Sequence, residues 1–239
     1  MAKTIGNLFA ISDIHLSFGI QNKCMSIFKG WDKHWDRLRS NWNNAVCERD
    51  MVVIGGDISW GKTLEQAFPD LKFIANELNG RKIMLKGNHD YWWTTLFKMQ
   101  TFLTENNING IEFLHNNAYK INDLTICGTR GWINSADYGE LENKPAQKIL
   151  LREVGRLETS ILAGIELGGE IVVFLHYPPI YAHEENECIL EILRKYAIKR
   201  VFSGHIHSSG MGKAFIGEKY GTYFDMITAD SLGFAPRII

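Results

Sequence analysis

Short apolar runs that break into glycine or polar turns constrain this chain most. They are Leu8–Ser12, Met51–Ile54, Lys82–Lys86, Leu124–Cys127, Ile171–Leu175 and Arg200–Phe202. Continuous apolar runs of this length fit strands buried on both faces. Helical periodicities lie between them. Trp31, Trp35, Leu38, Trp42 and Val46 recur three or four residues apart, the stripe of an amphipathic helix. Leu64, Phe68, Leu71, Ile74 and Leu78 repeat the pattern, and Pro69 is expected to shorten or kink that helix. A third helix is predicted from about Ala146 to Leu167 and a fourth over residues 185–196. Residues 214–227 read as paired strands around Gly217 and Gly221. The alternation predicts an α/β fold. In such folds, reactive residues collect on loops beyond the carboxyl ends of strands. With 239 residues and no Pro/Gly/Ser-rich linker, one domain over residues 1–239 is expected.

Charge and cysteine usage narrow the function classes. The chain has 26 basic and 27 acidic side chains, a formal net charge of -1. That balance supplies no general basic field and weighs against a nucleic-acid partner. No apolar run approaches the ~18 residues of a membrane span, and the first apolar stretch is interrupted by Asp13 and His15, unlike a secretory signal. Cys24, Cys47, Cys127 and Cys188 are far apart and form no paired motif, which suits a reduced, cytoplasmic protein.

The strand ends carry the chemistry. The first run ends in Ser12-Asp13-Ile14-His15, the second in Gly55-Gly56-Asp57 and the third in Gly87-Asn88-His89-Asp90. Later runs end in His176-Tyr177-Pro178 and Gly204-His205-Ile206-His207. Carboxylates and imidazoles suit borderline divalent metals such as zinc, manganese and iron. Asp13 and His15, like His205 and His207, are one residue apart, which places both side chains on one face of extended backbone. Asp13, His15, Asp57, Asn88, His176, His205 and His207 are too many ligands for one tetrahedral ion. They suit two ions sharing a bridging carboxylate, a centre that activates a hydroxide for in-line attack at phosphorus. His34, His115 and His183 belong to no such pattern and read as structural.

The ordered series Asp13-x-His15, Gly56-Asp57, Gly87-Asn88-His89-Asp90, His176 and Gly204-His205-x-His207 resembles the calcineurin-like metallophosphoesterase superfamily. The resemblance implies a four-layer α/β/β/α sandwich of two mixed sheets flanked by helices. It also implies a metal-dependent phosphatase or phosphodiesterase acting on a small phosphorylated substrate. One ion would take Asp13, His15, Asp57 and His207. The other would take Asp57, Asn88, His176 and His205. His89 would contact the phosphate and protonate the leaving oxygen, and Asp90 would orient its ring. The second block continues Ile58-Ser59-Trp60-Gly61 without the arginine of the family's protein phosphatases, so the chain is more similar to the small bacterial-type phosphoesterases.

Other readings compete. Gly56-Asp57-Ile58-Ser59-Trp60-Gly61-Lys62-Thr63 matches the nucleotide-binding P-loop pattern between a strand and a helix. Bulky Ile58 and Trp60 hinder phosphate wrapping there, and Asp57 would repel it. An inactive interaction scaffold of the same fold normally lacks metal ligands, and none is missing here. A nuclease would keep the chemistry, but the near-neutral charge argues against it. Trp60, Trp92 and Trp93 closely follow site residues; each reads first as core beneath the loops, with at least one expected at the pocket wall and Trp60 the candidate to stack on a substrate ring. Arg130, on the loop Gly128-Thr129-Arg130-Gly131-Trp132, is either a phosphate clamp or a salt-bridge residue. Residues 16–30 could form a lid or substrate loop. Arg194, Lys195, Lys199 and Arg200 read as a solvated helix end.

Overall fold

A computed structural model describes residues 6–21, 23–132 and 144–239. The chain divides into two compact units, residues 1–113 with 227–239, and residues 114–226.

The first unit is built on a five-stranded mixed sheet. Its strands are β1 (Leu8–Ile11), β2 (Met51–Ile54), β3 (Arg81–Met84), β4 (Ile111–Phe113) and β13 (Arg237–Ile238), in the order β13-β1-β2-β3-β4. β1 to β4 are parallel, and β13 closes the edge antiparallel to β1. Helices α1 (His34–Ala45), α2 (Leu64–Glu77) and α3 (Leu96–Glu105) connect the strands. Their apolar stripes pack Leu38, Trp42, Leu71, Ile74 and Met99 against Val52, Ile54 and Met84 in one core. Each such side chain contributes roughly 1.5–3 kcal/mol on full burial. The α1 stripe begins one turn late, because Trp31 precedes the helix. Pro69 does not shorten α2, which continues to Glu77. One proline forfeits one helix hydrogen bond, and the burial of Ala67, Leu71 and Ile74 on either side offsets that loss. Thr63 and Thr95 cap α2 and α3 by accepting from Gln66 N and Lys98 N.

The second unit is built on a six-stranded mixed sheet. Its strands are β5 (Tyr119–Ile121), β6 (Leu124–Thr129), β7 (Glu170–Leu175), β10 (Arg200–Ser203), β11 (Gly217–Lys219) and β12 (Thr222–Met226), in the order β11-β12-β10-β7-β6-β5. The hairpins β5–β6 and β11–β12 are antiparallel and the inner pairs parallel. A small hairpin, β8 (Ile180–Tyr181) and β9 (Glu184–Glu185), follows β7. Helices α4 (Lys144–Leu167) and α5 (Glu187–Lys195) complete the unit. Its separate core joins Leu157, Ile161, Val173, Leu190, Val201 and Phe224. Two large mixed sheets with flanking helices make this an α/β fold of the expected class.

Candidate functional site

In the first sheet β1, β2 and β3 are neighbours in parallel register, Ile11 beside Ile54 and Ile54 beside Met84. The chain leaves their carboxyl ends side by side, and Asp13, Asp57 and Asn88 follow within four residues. The first two loops are zipped together by backbone. Asp13 N donates to Gly56 O (2.8 Å), His15 N to Asp57 O (3.0 Å) and Trp60 N to Leu16 O (2.9 Å). The zipper forces unusual torsions, with φ of 60° at Asp13, 45° at His15 and 50° at Asp57. Left-handed backbone at a residue with a Cβ costs roughly 1–3 kcal/mol and gathers at functional sites.

The donors of this unit converge on Asp57. His15 Nε2 lies 3.8 Å from Asp57 Oδ2 and 4.0 Å from Asp13 Oδ1. His89 Nε2 lies 4.0 Å from the same Asp57 Oδ2, while His89 N donates to Asp57 Oδ1 at 2.8 Å. Asp13, His15 and Asp57 are buried, whereas the His89 side chain is 35% exposed. These side-chain separations exceed hydrogen-bond length, yet ligands held ~2.0–2.2 Å from one ion naturally stand about 3–4 Å apart. The donor set therefore fits a divalent cation. Gly87 secures the approach of the third loop, because a Cβ there would fall 2.1 Å from both Asp57 N and Oδ1.

The Asp90 carboxylate ties loops together, accepting from Ile58 N (2.9 Å), Ser59 N (3.2 Å), Trp92 Nε1 (3.0 Å) and Gly87 N (2.8 Å). A further latch, Asp70 on α2, has no counterpart in the sequence reading. Fully buried, it accepts from Phe18 N (2.7 Å) and from the Ser59 hydroxyl, pinning the loops after β1 and β2. Burial pushes the Asp70 carboxyl up to about 6 despite those two bonds. From the described part of residues 16–30, Leu16 exchanges backbone bonds with Ile58 and Trp60, Phe18 reaches Asp70, and Lys23 Nζ lies 4.3 Å from the Trp60 ring; position 22 lies outside the described residues.

In the second sheet β7 and β10 are parallel neighbours, Leu175 beside Ser203, and His176 and His205 follow their ends. The two rings lie 5.2 Å apart, and Tyr177 packs 4.4 Å from His205. Backbone holds these loops. Gly204 N donates to Leu175 O and His176 O, while His176 N and Tyr177 N both donate to Arg130 O. His205 also has left-handed backbone, φ 72°. His207 stands at the start of a 3-10 turn, Ser208–Lys213.

Asp13, His15 and Asp57 each fall within a grouping of carboxylate and imidazole donors able to hold a metal ion. So do His176, His205 and His207. Asn88 lies between Gly87 and His89 in the same turn. Trp60 stacks on His15, rings 5.1 Å apart and 19° from parallel, and leans on His89 at 4.4 Å. Trp92 and Trp93 are in the core. The Arg130 guanidinium sits 3.5 Å from the buried Glu153 carboxylate and 4.9 Å from the Trp132 ring. His34 is buried between the carbonyls of Ile14 and Trp31, and burial lowers its pKa, as a structural imidazole requires. The basic cluster of the second unit is largely paired, Lys195 with Glu158 at 2.6 Å and Arg200 with Glu170 at 2.8 Å.

The P-loop alternative fails on its amides. Ile58 N and Ser59 N are taken by Asp90, Trp60 N by Leu16 O, Gly61 N by Ser59 Oγ and Lys62 N by Gln66 Oε1. A phosphate cradle needs those groups free.

The chain belongs to the calcineurin-like phosphoesterase family, whose profile matches residues 6–209. That family is one of metal-dependent phosphoester hydrolases. A curated relative, the uncharacterized protein MJ1445 of Methanocaldococcus jannaschii, is 31% identical over 84 residues, 35% of this chain and 46% of its own length. The alignment thus spans about half of that relative. Two solved structures share the fold. A protein of unknown function from Aquifex aeolicus, AQ665, is 16% identical with a TM-score of 0.52, covering 98% of this chain and 95% of its own. The Thermus thermophilus protein TT1561 is 12% identical with a TM-score of 0.51, covering 92% and 88%. Among the described residues no helix is long and apolar enough to cross a membrane.

Proposed function

We propose that the chain hydrolyses a phosphate mono- or diester with two divalent cations of manganese, iron or zinc. Following the family's order, Asp13, His15, Asp57 and His207 hold one ion, and Asp57, Asn88, His176 and His205 hold the other. The observation that carries the reading is the spacing of His15 Nε2, which stands 3.8 Å from Asp57 Oδ2 and 4.0 Å from Asp13 Oδ1. When bound, such a pair of ions polarises phosphoryl oxygens and acidifies water. His89 is a partly exposed imidazole beside Asp57 and supplies the proton to the leaving oxygen. The bond from His89 N to Asp57 Oδ1 holds the general acid and the shared ligand in one register. Arg130 is already engaged by Glu153, so contacts to a small phosphorylated substrate fall to Asn88, His89 and Trp60, whose ring offers a face to an aryl group or base.

Purified full-length chain supplied with manganese should turn over phenyl phosphate or bis(4-nitrophenyl) phosphate. Asp57→Ala should lose both bound metal, by elemental analysis, and turnover. His89→Ala should keep its metal and lose about 10²–10⁴-fold in kcat. An Asp57→Ala protein that remains metal-replete and active would overturn the assignment.

A further inference from the structure

We infer that the second unit carries a separate binding pocket for an aromatic anion. A cavity of about 660 Å³ lies there, within the ~300–1,000 Å³ range of small-molecule sites. Two connections build it. One is the hairpin of β8 and β9, which follows His176, and the other is the 3-10 turn that runs on from His207 to Lys213. They are locked to each other by a bond from Ala182 N to Lys213 O (3.0 Å) and by pairing of Tyr181 with Ala214.

The lining has two chemistries. Ile180, Ala214 and the Phe215 ring give apolar walls. Lys213, Lys219 and His183 give the polar part, against a single carboxylate, Glu185. That carboxylate is already satisfied, accepting from Lys219 Nζ at 2.5 Å and from the Tyr220 hydroxyl at 3.0 Å. Lys213 has no ion-pair partner among the described residues, so its ammonium is the charge left for a ligand. An apolar slot with an uncompensated cation at its edge selects a flat hydrophobic body bearing a carboxylate, sulfonate or phosphate.

The hairpin tip supports a built site. Ala182 and His183 have φ of 51° and 78°, the torsions of a turn normally made with asparagine and glycine. Both keep side chains in spite of that torsional cost, and both line the cavity. Strain retained at a cavity rim is the mark of a functional position.

Naphthalene-2-carboxylate is a suitable probe, because it contains no phosphorus to hydrolyse. Calorimetric titration of the full chain should show saturable binding of one probe per chain. Lys213→Glu should weaken it at least about tenfold, and the neutral naphthalene-2-carboxamide should bind weaker by a similar factor. Gly212→Phe should abolish binding by filling the cavity. A Cβ at Gly212 meets nothing within 4 Å, so this variant is expected to fold, and its melting temperature checks that. Asp57→Ala should bind the probe as the unaltered chain does, separating this pocket from the metal reading. The inference is overturned by absence of binding at millimolar probe, by binding that survives both Lys213→Glu and Gly212→Phe, or by binding lost in Asp57→Ala alone.

Discussion

The two units hold their reactive loops by different means. In the first, side-chain carboxylates reinforce the backbone zipper between the loops after β1 and β2. Asp90 gathers four N–H donors from two loops and a tryptophan, and Asp70 joins two more loop groups. All of those donors are neutral. In the second, backbone carbonyls of Leu175, His176 and Arg130 hold the loops. Its buried carboxylate, Glu153, lies among cations, 2.7 Å from Arg156 and 3.5 Å from Arg130, and takes the Thr129 hydroxyl. Asp70, whose burial outweighs its two bonds, is open to protonation, and both latches are open to point mutation. Loops closed by main chain are indifferent to which side chains they carry.

Five substitutions test that contrast. The largest effect is expected at Gly87→Val in the first unit. Its Cβ would displace Asp57, so turnover of phenyl phosphate should fall about 10²-fold or more, with a lower melting temperature. Asp90→Ala comes next. It strands buried amides of Ile58 and Gly87 and should cost about 3 kcal/mol, read by urea denaturation.

Asp70→Asn acts through pH. Burial pushes the folded carboxyl up to about 6 from its ordinary 3.8. Between those values the folded chain holds a proton that the unfolded chain has released, so this group makes stability fall as pH rises through the window. The lost stability is about 2–3 kcal/mol. Asp70→Asn should flatten the difference between stability curves at pH 4 and pH 7, whereas Glu153→Gln in the second unit should lower the whole curve. The smallest effect belongs to Arg194→Ala, which removes an exposed pair with Glu187 and should leave the urea midpoint essentially where it is in the unaltered chain. A large loss there would break the distinction between latch and surface pair.

Much of this contrast lies outside what periodicity and composition carry. The inner strands β1, β2, β3, β7 and β10 were legible because continuous apolar runs have one strong reading. The donors at their carboxyl ends were legible because carboxylate and imidazole stand out against those runs. Helix α3 was not, since its buried Met99 and Leu103 share the segment with an exposed Phe97. Half-exposed β5 and two-residue β13 leave no periodic trace. The latching roles of Asp70 and Asp90 depend on what lies across the fold, and Asp70 sits on a helix where an acidic residue ordinarily faces water. Arg130 could be placed on its loop but not against Glu153, because no local pattern links a strand-end arginine to a distant helix.

Left-handed torsions at Asp13, His15, Asp57 and His205 carry an implication for anyone building libraries of this chain. A saturation scan at those four codons should not rank survivors by size or hydropathy. Asparagine and glycine should head the folded fraction, and valine, isoleucine and threonine should drop out of the expressed pool before any assay of chemistry begins.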